Sequence, residues 1–179
     1  RFRLAHKDAL APFKPSLNWC KEAAKKAPQR VVIEPFERTP SYIKADMRDY
    51  QREGLRWLAQ RYEDGCGAIL GDEMGLGKTL QTLSFLSWLK HERPAEHGPS
   101  LVICPLSVLS SWLTEARKFV PDLRMVKLHS GDVRERDRLK HQLRDTSAYD
   151  VVVTTYEMAK APAMQSTIQR PWWRLVVLD

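Results

Sequence analysis

Cysteine is scarce in this sequence: Cys20, Cys66 and Cys104 are scattered through 179 residues and never form a C-x-x-C pair. An odd, dispersed set excludes a disulfide framework and a cysteine-based zinc site, and it fits a reducing, intracellular compartment. Long apolar runs are missing too; none approaches the roughly 18 residues of a membrane span. The opening residues, Arg1-Phe2-Arg3-Leu4-Ala5-His6, lack the apolar stretch and small-residue cleavage site of a secretory signal. Internal repeats and low-complexity tracts are absent. Acidic residues are the minority, 22 against 29 basic, for a net charge of +7. Most of that excess lies in residues 1–50, with eleven Lys/Arg against six Asp/Glu. A basic arm suits a polyanion such as DNA, because neutralising phosphates releases counterions, and it equally suits a solvated tail.

What is present reads as one folded unit behind an arm, since 179 residues hold one ordinary core. Residues 1–40 carry Pro12, Pro15, Pro28, Pro35 and Pro40 and form the basic arm. From Ser41 to Asp179 helix and strand signals alternate. Helices are expected over 48–63, 79–91, from Ser107 to before Pro121, over 132–144 and over 157–169, with Ser107 as a cap. Strands are expected at Gly67–Leu70, Leu101–Cys104, Leu123–Leu128, Val151–Thr155 and Leu175–Leu178. Strands alternating with helices of this length pair in parallel, and unbroken runs such as Val151-Val152-Val153 fit strands covered on both faces. The fold class is α/β, a parallel sheet flanked by helices.

The strongest chemical signal is Gly71-Asp72-Glu73-Met74-Gly75-Leu76-Gly77-Lys78-Thr79, set between a strand and a helix. Gly75 and Gly77 let the backbone turn its amides toward phosphate oxygens, and the helix behind adds its positive end. Lys78 would place a charge on the β and γ phosphates, and Thr79 would offer a hydroxyl to magnesium. The strict pattern G-x-x-x-x-G-K-[ST] is not met, because Asp72 stands where its first glycine belongs. An ordinary turn before a helix is the plainer reading, opposed by the strand before and the helix after. Asp179 closes the run Leu175-Val176-Val177-Leu178-Asp179. A strand-end aspartate is common, yet one following a phosphate loop at this distance is the usual holder of the magnesium shell.

Four segments in this order carry a family resemblance: D-E-M-G-L-G-K-T-L-Q-T (72–82), L-V-I-C-P-L-S-V-L-S-S-W (101–112), D-V-V-V-T-T-Y-E-M (150–158) and L-V-V-L-D (175–179). They resemble consecutive motifs of SWI/SNF-like chromatin-remodelling ATPases, within the superfamily-two helicases. The P-T-R-E-L type segment of DEAD-box RNA helicases does not follow the second strand. T-P-S-Y-I (39–43) and R-D-Y-Q-R-E-G-L-R-W-L (48–58) are most similar to the imitation-switch group, with Lsh-like and ADP-ribose-responsive remodellers as rivals.

The resemblance implies a RecA-like phosphate-loop lobe, ATP and Mg2+ as cofactors, duplex DNA and nucleosomal histones as partners beside further subunits of a remodelling complex, and a nuclear location. It implies Gln51 as the adenine selector, where a wet-face glutamine is the plainer reading. Pro105, Leu106, Ser107, Thr154 and Thr155 are implied at strand ends facing DNA; capping for Ser107 and β-propensity for the threonines are the plainer alternatives. It further implies that residues 41–179 are the first part of the lobe, ending at the metal-binding aspartate, with the water-orienting glutamate and the second lobe beyond it. In such lobes a later strand lies between the strand entering the phosphate loop and the strand ending in that aspartate, so Ala68–Leu70 would lack a ladder partner here. Trp57, Trp88 and Trp112 read as packing, His129 as structural, and 132–144 as a solvated face. A non-hydrolytic module built on a degenerate lobe, holding DNA or histones, is the competing functional class, and the intact Gly77-Lys78-Thr79 argues against it.

Overall fold

The computed structural model describes residues 31–94 and 98–179. The readings of residues 1–30 and of Cys20 lie outside the described residues. The compact unit that carries every element below begins at Ile33, earlier than the boundary expected at 40/41.

Helix α1 (Asp49–Glu63) starts where the Gln51 side chain turns back to accept the Arg48 amide at 3.0 Å, with Asp49 in its first turn and Arg61 in its last. Its buried face is Leu55, Leu58 and Ala59. Residues 33–47 pass over α1 without regular structure, fastened by Arg52, whose guanidinium donates to the Phe36 and Met47 carbonyls at 2.9 and 2.7 Å. Helix α2 (Lys78–Glu92) is buried along most of its length, through Leu83, Phe85, Leu86, Trp88 and Leu89. Helix α3 (Leu106–Phe119) follows strand β1 (Ser100–Cys104), and β2 (Met125–Leu128) leads to α4 (Val133–Gln142), capped by the Asp132 carboxylate accepting from the Arg134 amide. Only Leu139 of α4 is buried, as a solvated face requires.

Strand β3 (Val151–Thr155) runs into α5 (Tyr156–Lys160), and α6 (Pro162–Gln169) precedes β4 (Leu175–Leu178). The single helix expected over 157–169 is therefore two. Ala161 is extended at φ −63°, ψ 122°, because a residue before proline is pushed out of the helical region. The sheet order is β2-β3-β1-β4, all parallel, with Ser100 opposite both Val151 and Leu175.

Successive residues feed opposite faces. Val102, Cys104, Val151 and Val153 meet α1, α2 and α3, whereas Leu101, Val126, Leu128 and Val152 meet Leu139, Met158 and Met164 of α4, α5 and α6. Both faces are apolar and covered, which is why the strand sequences show unbroken apolar runs.

The expected strand at Gly67–Leu70 is not formed: the segment has no regular structure and no ladder bonds, and Ile69 is 90% exposed. The outer side of β4 pairs with nothing among the described residues, leaving Val176 and Leu178 exposed. A cavity of about 530 Å³ separates the two segments. An apolar run becomes a strand only beside a partner in hydrogen-bonding reach, and no described strand pairs with this one.

Candidate nucleotide site

Residues 71–77 form the loop between the segment 67–70 and α2, at the end of the sheet where the strands finish. Gly75 and Gly77 take φ of +86° and +80°, the left-handed region that glycine enters without steric cost. Gly77 is further constrained: a Cβ there would stand 2.6 Å from Gln51 Nε2. Lys78 Nζ donates to the carbonyls of Asp72 and Glu73 at 2.7 and 3.0 Å, drawing the loop around its own ammonium. Asp72, Glu73, Met74, Gly75 and Leu76 make the outer curve, with the Met74 side chain 95% exposed.

Lys78, Thr79 and Asp179 line the same 530 Å³ cavity. The fold thus brings the loop and the strand-end aspartate to one place, across a hundred residues of sequence. Asp179 is held from two sides: its amide donates to the Ile103 carbonyl at 3.0 Å, and Trp112 Nε1 donates to its Oδ2 at 2.8 Å. Trp112, expected only to pack, is buried and also aims this carboxylate. Beside it, burial and the charge of Asp179 push the Cys104 thiol up to about 11, so it stays protonated.

Gln51 is not on a wet face. Its Oε1 accepts from the Arg48 amide and its Nε2 donates to the Leu76 carbonyl at 3.1 Å, so it ties α1 to the loop. Gln81, which sequence reasoning passed over, is fully buried and donates to Asp72 Oδ2 at 3.0 Å. The signals for it were its place in the segment 72–82 and a polar residue on a mostly apolar helix that also buries Ser84 and Ser87.

Pro105, Leu106 and Ser107 are exposed where β1 ends and α3 begins. Ser107 does not cap that helix; Pro105 occupies the N-cap without a side-chain bond, because α3 starts earlier than expected, at Leu106. Thr154 and Thr155 do not reach the surface. Both are fully buried, Thr154 donating to the Leu128 carbonyl at 2.8 Å and Thr155 accepting from the Met158 amide at 3.3 Å as the cap of α5. Their hydroxyls are engaged inside the fold, so neither side chain is exposed at the strand end where a DNA contact was expected. Among the described residues no group of three or more His, Cys, Asp or Glu could hold a metal by itself, and no helix is long and apolar enough to cross a membrane.

A parallel sheet covered on both faces, with a glycine-rich loop opening a buried helix where its strands end, defines a RecA-like α/β lobe. The family model described as the SNF2-related domain matches residues 50–179, and the chain belongs to that family. It is 46% identical over 140 residues to a probable chromatin-remodeling complex ATPase chain of Oryza sativa subsp. japonica, covering 78% of this chain and 12% of that protein. It is 44% identical over 140 residues to an ISWI chromatin-remodeling complex ATPase of Arabidopsis thaliana, covering 78% and 13%. Among solved structures it is similar to the Sulfolobus solfataricus SWI2/SNF2 ATPase core in complex with dsDNA, at a TM-score of 0.65 and 36% identity, over 83% of this chain and 28% of that one. The chain therefore spans about an eighth of the length of these curated relatives.

Proposed function

We propose that this chain is the nucleotide-binding part of a DNA-dependent ATP hydrolase of the chromatin-remodelling type, which couples hydrolysis to movement of DNA on nucleosomes in the nucleus. The observation that carries the reading is the single cavity shared by Lys78, Thr79 and Asp179 at the strand ends, in a chain whose relatives are named chromatin-remodelling ATPases.

The residues fit Mg2+-ATP. A hydroxyl and a carboxylate are the hard oxygen donors magnesium takes, and nothing lies within 4 Å of where a Gly75 Cβ would stand, so a polyphosphate can approach the backbone. Bound magnesium would neutralise charge on the β and γ phosphates. Lys78 would exchange the Asp72 and Glu73 carbonyls for phosphate oxygens, and loop amides other than that of Leu76, which donates to the Glu73 carbonyl at 3.5 Å, would be offered to the same anion. Thr79 and Asp179 would hold the metal, with Trp112 keeping Asp179 in place. Gln51 uses one N–H and one lone pair inside the protein; a primary amide has another of each, the pair an adenine edge needs. Exposed Pro105, Leu106 and Ser107, with the free amides at the start of α3, would touch DNA phosphates without reading sequence. Histones and complex subunits complete the proposed partners.

The test is DNA-stimulated ATP hydrolysis by the full-length protein. Lys78→Ala should abolish it, by about a thousandfold or more as expected when a phosphate-stabilising charge is lost. An undiminished rate in that variant would sink the assignment.

A further inference from the structure

We propose that Gln81 is the positioning residue of the phosphate loop, holding the Asp72 carboxylate so that the carbonyl of the same residue meets Lys78. The inference rests on the nucleotide reading above and deepens it. Three observations meet here. Gln81 is fully buried on the second turn of α2, and its Nε2 donates to Asp72 Oδ2 at 3.0 Å. Its Oε1 is buried without a hydrogen-bond partner. Gly54, in the middle of α1, makes room for that oxygen, because a Cβ at this position would lie 1.8 Å from it.

Packing alone explains none of this. A methionine would fill the same space and leave no buried oxygen unpaired, and an alanine would serve α1 better than a mid-helix glycine. Two locally unfavourable choices, one on each helix, thus converge on one amide–carboxylate bond. A carboxylate only accepts, so the amide must present its nitrogen to Asp72, which leaves the oxygen against Gly54. The bond also gives the departure from the strict phosphate-loop pattern a purpose. Where that pattern has glycine, Asp72 supplies a side chain for Gln81 and a carbonyl, 2.7 Å from Lys78 Nζ, for the lysine. The chain of contacts runs from Gln81 through Asp72 to Lys78, so the helix core sets where the lysine waits.

The experiment titrates the full-length protein with a fluorescent N-methylanthraniloyl-ATP in magnesium, beside thermal melts and hydrogen exchange of residues 71–77. Gln81→Met should weaken nucleotide binding about tenfold, because a loop no longer fixed at Asp72 must be ordered when the phosphates bind, with faster loop exchange and a melting temperature no lower than wild type. Gln81→Glu, setting two carboxylates together, should bind worse still. The reversed pair Asp72→Asn with Gln81→Glu restores an amide facing a carboxylate and should recover most of the affinity. Wild-type affinity in Gln81→Met, or a reversed pair no better than Gln81→Glu alone, overturns the inference while leaving the nucleotide site standing. A wild-type chain that melts cooperatively but binds no nucleotide overturns the site and this inference together.

Discussion

Trp112 contributes twice to the lobe, through an indole body packed in the core and through an N–H directed at Asp179 Oδ2. The two contributions separate on substitution. Trp112→Phe keeps most of the apolar volume and removes the donor, so stability should fall by about 1 kcal/mol, the usual worth of one hydrogen bond. The freed carboxylate then samples other rotamers. The magnesium concentration at half-maximal nucleotide binding should rise several-fold, as ordering the ligand becomes part of metal binding. An unchanged magnesium titration would reduce Trp112 to packing. Nothing in the sequence joined Trp112 to Asp179, because 67 positions separate them and only the parallel pairing of β1 with β4 sets them side by side. Gln81 was hidden for the same reason, since its meaning depends on a glycine of another helix.

Between elements, Asp150 ties the start of β3 to two neighbours. Its carboxylate accepts from Lys90 at 2.8 Å, from Arg124 Nη2 at 2.7 Å and from the Arg124 amide at 2.8 Å. Burial alone would raise its pKa, but the bonds from Arg124 and Lys90 outweigh burial and hold it below the ordinary value of 3.8. A carboxyl lowered in the folded state stabilises above its unfolded pKa, and that contribution is lost as pH falls through the folded value. Asp150→Asn should cost about 1.5–3 kcal/mol at neutral pH, the range for charge-assisted bonds, and should flatten the loss of stability below about pH 4. Equal acid melting curves for both chains would show that this cluster contributes nothing.

The elements themselves were largely readable. Leu55, Leu58 and Ala59 mark α1 by their spacing, and Val151-Val152-Val153 marks a strand covered on both faces. The break at Ala161 is written in Pro162, although the segment reads as one helix over 157–169. The absence of a strand at Gly67–Leu70 was not readable from its own residues, because an apolar run states a preference and a ladder needs a neighbour. Thr154 and Thr155 were placed at the correct end of the sheet, yet burial depends on what packs above them, which their own residues do not carry.

Across the whole molecule, order is uneven around the cavity that holds the loop. β1 is bonded on both sides, whereas residues 66–72 have no ladder and β4 has one open side. Amide exchange should follow this division: Leu101 to Cys104 should exchange only through large-scale unfolding, and Gly67 to Gly71 through small local fluctuations. Protection at Ala68 equal to that at Val102 would contradict the division. The sheet order has a consequence during synthesis as well. β1 is the first of the four strands to leave the ribosome, yet both strands that flank it are made afterwards. At about 5–20 residues per second, roughly 3–10 s pass between the appearance of Cys104 and that of Thr155. Through that interval a strand destined for the interior stands with both edges bare, and the nascent chain offers any passing chaperone its most apolar segment before the sheet can close over it.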